Sequence, residues 1–319
     1  THASTPATTH PLKRSGSLFR ACRSRTGRST SITPILPVVL NMEGSFTPRL
    51  AGRAAPDSRR LLLFRQGRTE DAEFMEHAPR SVVLDASPLS PTAVAQAARY
   101  GATVVLADAA RRQIEASRQR LESVLGDGLA HYGVNTGFGS FSRQRIAPTD
   151  LQDLQHNLIR SHAAGVGSPL RPDIVRGMML LLAASLSRGL SGVRLSTVEA
   201  LVAALNWRGR GGEFFVPVVP ETGSCGASGD LAPLAHVILS LIGEGGGSVA
   251  PVSSGGHWSD TPPKTRPARE ALALAGLGPI RLEAKEGLAL INGTHLMAAR
   301  AALLVGDFEQ LFNAALTAA

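Results

Sequence analysis

The chain has 319 residues, 43% of them hydrophobic and 18% charged, which is enough apolar matter for a sizeable core in one large or two smaller domains and excludes a disordered chain or a coiled coil. The net charge of +8 invites a nucleic-acid partner, but residues 1–80 carry 13 basic and 6 acidic side chains and residues 81–319 carry 20 and 19. The basic excess therefore belongs to the first quarter, whose arginines lack the interleaved aromatics on which bases stack, and no nucleic-acid partner is expected. The nearly apolar run Met178–Leu186 is nine residues long, against roughly 20 for a bilayer span, so no membrane partner is expected either. Cys22 and Cys225 lie far apart, and the nine histidines form no HExxH or CxxC pattern. No metal and no disulfide framework is expected, and the cysteine usage suits a reducing, cytoplasmic compartment.

Two segments are expected. Residues 1–80 form a basic extension rich in Ser, Thr, Pro and Arg, without sustained periodicity and with no acidic residue before Glu43. It reads as disordered or as upstream sequence translated from a misplaced start, with Met75 as the start. An Arg- and Ser-rich targeting segment is the alternative. Order is expected from Ser81. Val82–Leu84 reads as a strand. Ser90-Pro91 opens a helix as N-cap and first-turn proline, which Gly101 interrupts. Asp108–Leu125 carries Ile114, Leu121, Val124 and Leu125 on one stripe, which predicts a second helix, stopped by Gly126-Asp127-Gly128.

Residues 131–149 form a glycine-rich aromatic loop. Helical spacing returns over Thr149–Ser161, Arg171–Arg188 and Ser196–Trp207. Within the middle one the run Met178–Leu186 is apolar all round, which predicts a buried helix. Asp230–Ile242 reads as a helix with an acid near its positive end, residues 243–266 as a surface loop, Pro267–Ala275 as a short helix, and His295–Thr317 as a last helix without a stop signal. That run-off is read as a chain cut within an element. The fold class is mainly α.

One segment carries chemistry on its face: Gly223-Ser224-Cys225-Gly226-Ala227-Ser228-Gly229-Asp230-Leu231-Ala232-Pro233-Leu234-Ala235-His236. Its residue types predict a tight turn entering a helix, with amides able to hold an anion. The GxSxG pattern of a nucleophile elbow is absent.

This segment resembles the cofactor-forming stretch of the histidine and aromatic amino acid ammonia-lyases. Three further blocks match in the family's order: Tyr132–Gly139, Asn157–Gly167 and Lys285–Thr294. The resemblance runs from about Ser81 to the end and corresponds to roughly the N-terminal half of a family member, before the central helical bundle is complete. It implies that Ala227-Ser228-Gly229 cyclises on its own backbone. The amide nitrogen of Gly229 attacks the carbonyl carbon of Ala227, and loss of two waters leaves a 4-methylidene-imidazol-5-one electrophile with no external cofactor. The residue types suit this: Gly229 has no Cβ to obstruct the approach, Ser228 has a hydroxyl to eliminate, and Ala227 is small.

The implied reaction removes ammonia from an amino acid. Tyr132 matches the family's base. A free tyrosine titrates near 10, so a base of this type needs cationic or dipolar surroundings. Gly133, Gly137, Phe138 and Gly139 would form a lid over the substrate. Asn292 matches an active-site asparagine, and a buried amide there needs hydrogen-bond partners. Ser161 and His162 match the substrate-selecting pair. Ser-His suits an imidazole, which favours L-histidine and its product trans-urocanate, the first step of histidine degradation, over a phenyl substrate. His236 is expected to pack without a role, and Cys225 to be a small buried neighbour pointing away from the electrophile. The resemblance further implies a homotetramer, with the carboxylate-binding arginine supplied by sequence beyond this chain, so that this chain alone would be inactive. A phenylalanine or tyrosine ammonia-lyase, an aminomutase of the same family, and a non-catalytic truncated remnant are the alternatives.

Overall fold

The computed structural model describes residues 81–139, 142–251, 258 and 264–318. The expectations for residues 1–80 lie outside them. Strand β1 (Ser81–Leu84) lies parallel to β2 (Thr103–Leu106), with Val82 beside Val104 and Leu84 beside Leu106. These four side chains are buried, while Val83 and Val105 face outward, the alternation that a period of two requires. Between the strands runs α1 (Pro91–Ala98), where the Ser90 hydroxyl accepts from Ala93 N. Helix α2 (Asp108–Leu125) follows and ends at Gly126.

The core is built on α4 (Pro172–Ser187). Val175, Met178, Met179, Leu180, Leu182, Ala183 and Leu186 are all buried in it, because α1, α5 (Leu195–Asn206) and α9 (His295–Ala318) cover it from different sides. Gly177 makes the crossing close. A Cβ there would sit 3.2 Å from the Ala299 methyl and 3.6 Å from Val94 Cγ1. Next to it Arg176 is fully buried, with no carboxylate partner among the described residues. Its Nε donates to Ala98 O (3.1 Å), Nη2 to Ala97 O (2.9 Å) and Nη1 to Leu205 O (3.0 Å), and its guanidinium lies 4.1 Å from the centre of the Phe214 ring. The carbonyl ends of α1 and α5, both negative dipole ends, thus take the place of a counter-ion. Burial, then the nearby Arg208, push the guanidinium down to about 9, which leaves it charged at neutral pH.

Helices α3 (Leu151–His162), α6 (Leu231–Leu241) and α8 (Glu286–Ile291) form a second packed group. Short strands link the two. β3 (Val166–Pro169) pairs antiparallel with β5 (Pro220–Thr222), and β4 (Phe214–Pro217), β6 (Gly246–Ala250) and β7 (Arg266–Pro267) form a three-stranded sheet in the order β4-β6-β7, followed by α7 (Ala268–Leu274). The surface loop expected over 243–266 is therefore corrected at its start. Gly246–Ala250 is a mostly buried strand, and glycine is what fits there, since a Cβ on Gly247 would come within 2.8 Å of Ala271. Most of the remainder of that expected loop lies outside the described residues.

The expected helices are present within one to three residues of their predicted ends. The expectation that no segment is long and apolar enough for a bilayer is also corrected: by length and composition alone the stretch Glu286–Ala318 is. Residues Asn292–Thr294 break it between α8 and α9, and the Asp307 carboxylate of α9 pairs with Arg99, one bond measuring 2.9 Å. Leu304, Phe308, Leu311, Phe312 and Leu316 leave an apolar face of α9 exposed.

Arg176→Met should lower stability by about 3 kcal/mol or more, because three buried carbonyls lose their donors. Urea denaturation followed by circular dichroism reads this as a lower midpoint.

Candidate active site

Two glycines in left-handed backbone shape the turn at Gly226–Ser228. Gly226 has φ +64° and Gly229 φ +128°, values that L side chains rarely adopt. Between them a 3₁₀ turn exposes Ala227 and Ser228. Gly229 N donates to Gly226 O (2.9 Å), and Cys225 N donates to Gly229 O (3.0 Å). Gly229 itself is buried. Cys225 is exposed, not buried as expected, because the backbone bond from its own amide to Gly229 O turns the segment outward at that residue.

The turn is anchored by Asp230, which is completely buried. One carboxylate oxygen accepts from the Ser224 hydroxyl (2.5 Å), whose oxygen accepts from Gly226 N (3.1 Å). The other accepts from Leu296 N (2.7 Å) and Met297 N (3.1 Å), amides in the first turn of α9. Asp230 N donates to Gly293 O (2.8 Å). The acid expected to serve its own helix therefore makes no cap bond to α6 and caps α9 instead. Nothing in the local spacing announces a partner 66 residues away.

This link brings the Asn292 block onto the turn. Asn292 ends α8, its amide donating to Leu288 O (3.1 Å), and its side chain is exposed. The buried-amide expectation is thereby corrected for this chain: residue 292 follows the last turn of α8 and lies outside the packed face formed by Leu290 and Ile291. His295 packs beside Gly293, where a Cβ would strike its ring. Burial holds its imidazole below the usual histidine range, partly offset by Asp230, and its Nδ1 has no partner among the described residues.

Tyr132 is 58% exposed and meets Phe138 edge-on at 6.3 Å. The loop beneath is tied down. Gly133 N donates to the Thr136 hydroxyl (3.2 Å), His131 N to the Asn135 amide oxygen (2.6 Å), and the Asn135 amide nitrogen to Leu129 O (2.7 Å). Gly133 (φ +70°) and Gly139 (φ +57°) are left-handed, and Gly137 is not among the positive-φ glycines. A Cβ on Gly133 would reach Leu288 Cδ2 at 2.7 Å and Lys285 Nζ at 3.7 Å. The Tyr132 block thus joins the site through α8.

Lys285 is strained, with φ +76° in a non-glycine residue, and burial lowers its ammonium pKa. Its neighbour Glu286 fixes that geometry. Completely buried, it accepts from Arg194 N, Arg194 Nη2, the Thr197 hydroxyl and Glu283 N. These bonds outweigh desolvation and hold its carboxyl below the usual range.

The Ser161 hydroxyl donates to Leu158 O (2.9 Å), and His162 Nδ1 lies 2.9 Å from the same oxygen. A carbonyl only accepts, so Nδ1 carries a proton, and in the neutral form of the ring the lone pair is on Nε2. The pair ends α3, and the chain then turns into β3, whose Val166 pairs with Thr222, the residue before the cofactor-like segment.

The four blocks thus converge on α6, α8 and the start of α9 of a mainly α fold, and comparison with known proteins defines the class: the family model described as aromatic amino acid lyase matches residues 89–319, and the chain belongs to that family. Among curated relatives, a histidine ammonia-lyase of Anaeromyxobacter dehalogenans is 48% identical over 231 residues, 72% of this chain and 43% of the relative. The solved structure of histidine ammonia-lyase from Trypanosoma cruzi superposes with a TM-score of 0.60 at 38% identity, covering 70% of this chain and 39% of that one. Phenylalanine aminomutase of Pantoea agglomerans gives 0.63 at 33% identity, covering 74% and 42%. The chain therefore spans less than half the length of these relatives.

Asp230→Ala should cost about 3 kcal/mol, since charged hydrogen bonds are lost and buried donors are left unpaired. Ser224→Ala should cost only about 1 kcal/mol. Comparing the two denaturation midpoints tests this order.

Proposed function

We propose that residues 81–319 are the N-terminal, electrophile-forming part of a histidine ammonia-lyase catalytic domain, preceded by an extension that takes no part in the chemistry. The reaction is elimination of ammonia from L-histidine to give trans-urocanate. The observation that carries this reading is the exposed Ala227–Ser228 turn, held between two left-handed glycines and fastened at Asp230.

The residues present fit the self-formed methylidene-imidazolone. A Cβ on Gly229 would meet nothing closer than 3.8 Å, which leaves room on that side of the turn, and the Ser228 side chain is exposed and free to lose its hydroxyl. The group supplies an electrophilic carbon that activates the substrate's amine as a leaving group. Tyr132 takes the β-proton on its phenolic oxygen, and Lys285 provides a cation beside the same loop. Phe138, Gly133, Gly137 and Gly139 hold and cover that tyrosine. Asn292, joined by Gly293 to the turn, orients the reacting groups. His162 offers its Nε2 lone pair to a ring N–H, which an imidazole has and a phenyl ring lacks, with Leu158 O holding Nδ1–H and Ser161 bonded to the same carbonyl beside it. Such discrimination is large where a site is built to hydrogen-bond its substrate.

The full protein is read as a cytoplasmic homotetramer acting on a small molecule, with no nucleic-acid or membrane partner. Its α9 serves as a packing helix. The Arg99–Asp307 pairing and the charged Arg300 and Glu309 along that helix favour this over a membrane span.

Full-length protein incubated with L-histidine should accumulate urocanate, followed by its absorbance, and intact-mass measurement should show a polypeptide lighter by two waters. Tyr132→Phe should lower kcat by about 100-fold or more while keeping the two-water deficit relative to its own sequence mass. Cinnamate from phenylalanine in place of urocanate would move the assignment to an aromatic substrate, and an unmodified mass would make the protein a non-catalytic relative.

A further inference from the structure

Helix α6 carries His236 eight residues beyond Ser228, and its imidazole does not simply pack. Gly165 N donates to His236 Nε2 at 3.1 Å. A backbone N–H can only donate, so Nε2 holds its lone pair and the ring is the neutral Nδ1–H tautomer. Burial, which lowers the pKa of this histidine, acts in the same direction.

Gly165 closes the turn that begins at His162. Within that turn Ala163 N donates to Ile159 O (3.0 Å) and Ala164 N to His162 O (2.8 Å). Only Ala163 and Ala164 separate the selecting histidine from the amide that His236 holds. The turn is pressed against the cofactor-like segment at backbone distance. A Cβ on Gly165 would lie 3.1 Å from His236 Nε2 and 3.2 Å from Thr222 O, and one on Gly223 would lie 3.2 Å from Gly165 Cα. The adjoining β3–β5 ladder does not lock the turn alone, because its register shifts between Val166 and Pro169.

We propose that His236 is a positioning residue for substrate selection, its Nε2 holding the Ala163–Gly165 turn so that Ser161 and His162 face the Ala227–Gly229 segment at a fixed distance. This rests on the histidine ammonia-lyase reading above. His236 touches no reacting atom. It acts through the turn, and its loss loosens substrate binding more than it slows the chemistry.

Two variants of the full-length enzyme separate this role from simple packing. In His236→Gln the amide oxygen reaches the place of Nε2. In His236→Asn the same amide stops near the place of Nδ1 and cannot accept from Gly165 N. With wild-type enzyme first shown to form urocanate, His236→Gln should keep KM for histidine within about twofold, and His236→Asn should raise it about tenfold, the scale of one hydrogen bond. In both, kcat should stay within about threefold and the mass should show the loss of two waters. The inference is overturned if the two variants have equal KM, whether like wild type or equally raised, if kcat falls while KM holds, or if His236→Asn retains the unmodified mass. A wild-type enzyme that makes no urocanate would overturn the reading beneath it instead.

Discussion

A single carboxylate, that of Asp230, organises the centre of this structure. It is removed from water, and among the described residues no cation lies within bonding range. Its charge rests on a serine hydroxyl and on two first-turn amides of a 24-residue helix, where amides and dipole both favour an anion. Through Ser224 it defines the near side of the Gly226–Ser228 turn, and through its own amide and Gly293 it defines the far side. The turn, the Asn292 corner and the start of α9 are therefore one mechanical unit. The same economy recurs at Arg176, where helix carbonyl ends satisfy a buried cation. In both places helix termini serve as the counter-charge, and the core needs no buried ion pair there.

A second buried acid, Glu286, does something different. Its bonds to Arg194, Thr197 and Glu283 N over-determine the start of α8, and the cost appears next door as the left-handed Lys285. Strain of this kind persists only where the surroundings enforce it. Here its result is an ammonium held beside the Tyr132 loop.

The helices were legible wherever local chemistry sets them: the Ser90-Pro91 start, the Gly126 stop, and the apolar Met178–Leu186 run of α4. The strands were less so. Gly246–Ala250 has strand geometry because β4 and α7 accept it, and its small residues read locally as loop. At the site, the four motif blocks could be found as sequence, but the ties between them could not. Asp230 to Leu296, Gly165 to His236 and Gly133 to Leu288 each join residues with no pattern between them. Side-chain exposure was not legible either. Asn292 and Tyr132 are both exposed here.

The span of the Asp230 bonds has a consequence for the order of events in synthesis. Their donors lie 66 and 67 residues further along the chain, so the turn cannot acquire its final geometry until that length has been made and has folded back. Any ring closure at Ala227–Gly229 is thereby made conditional on folding. On the proposed reading, a nascent or misfolded chain lacking the α9 amides would not hold the turn in which the electrophile forms, and a closed ring would record that the surrounding structure was completed first.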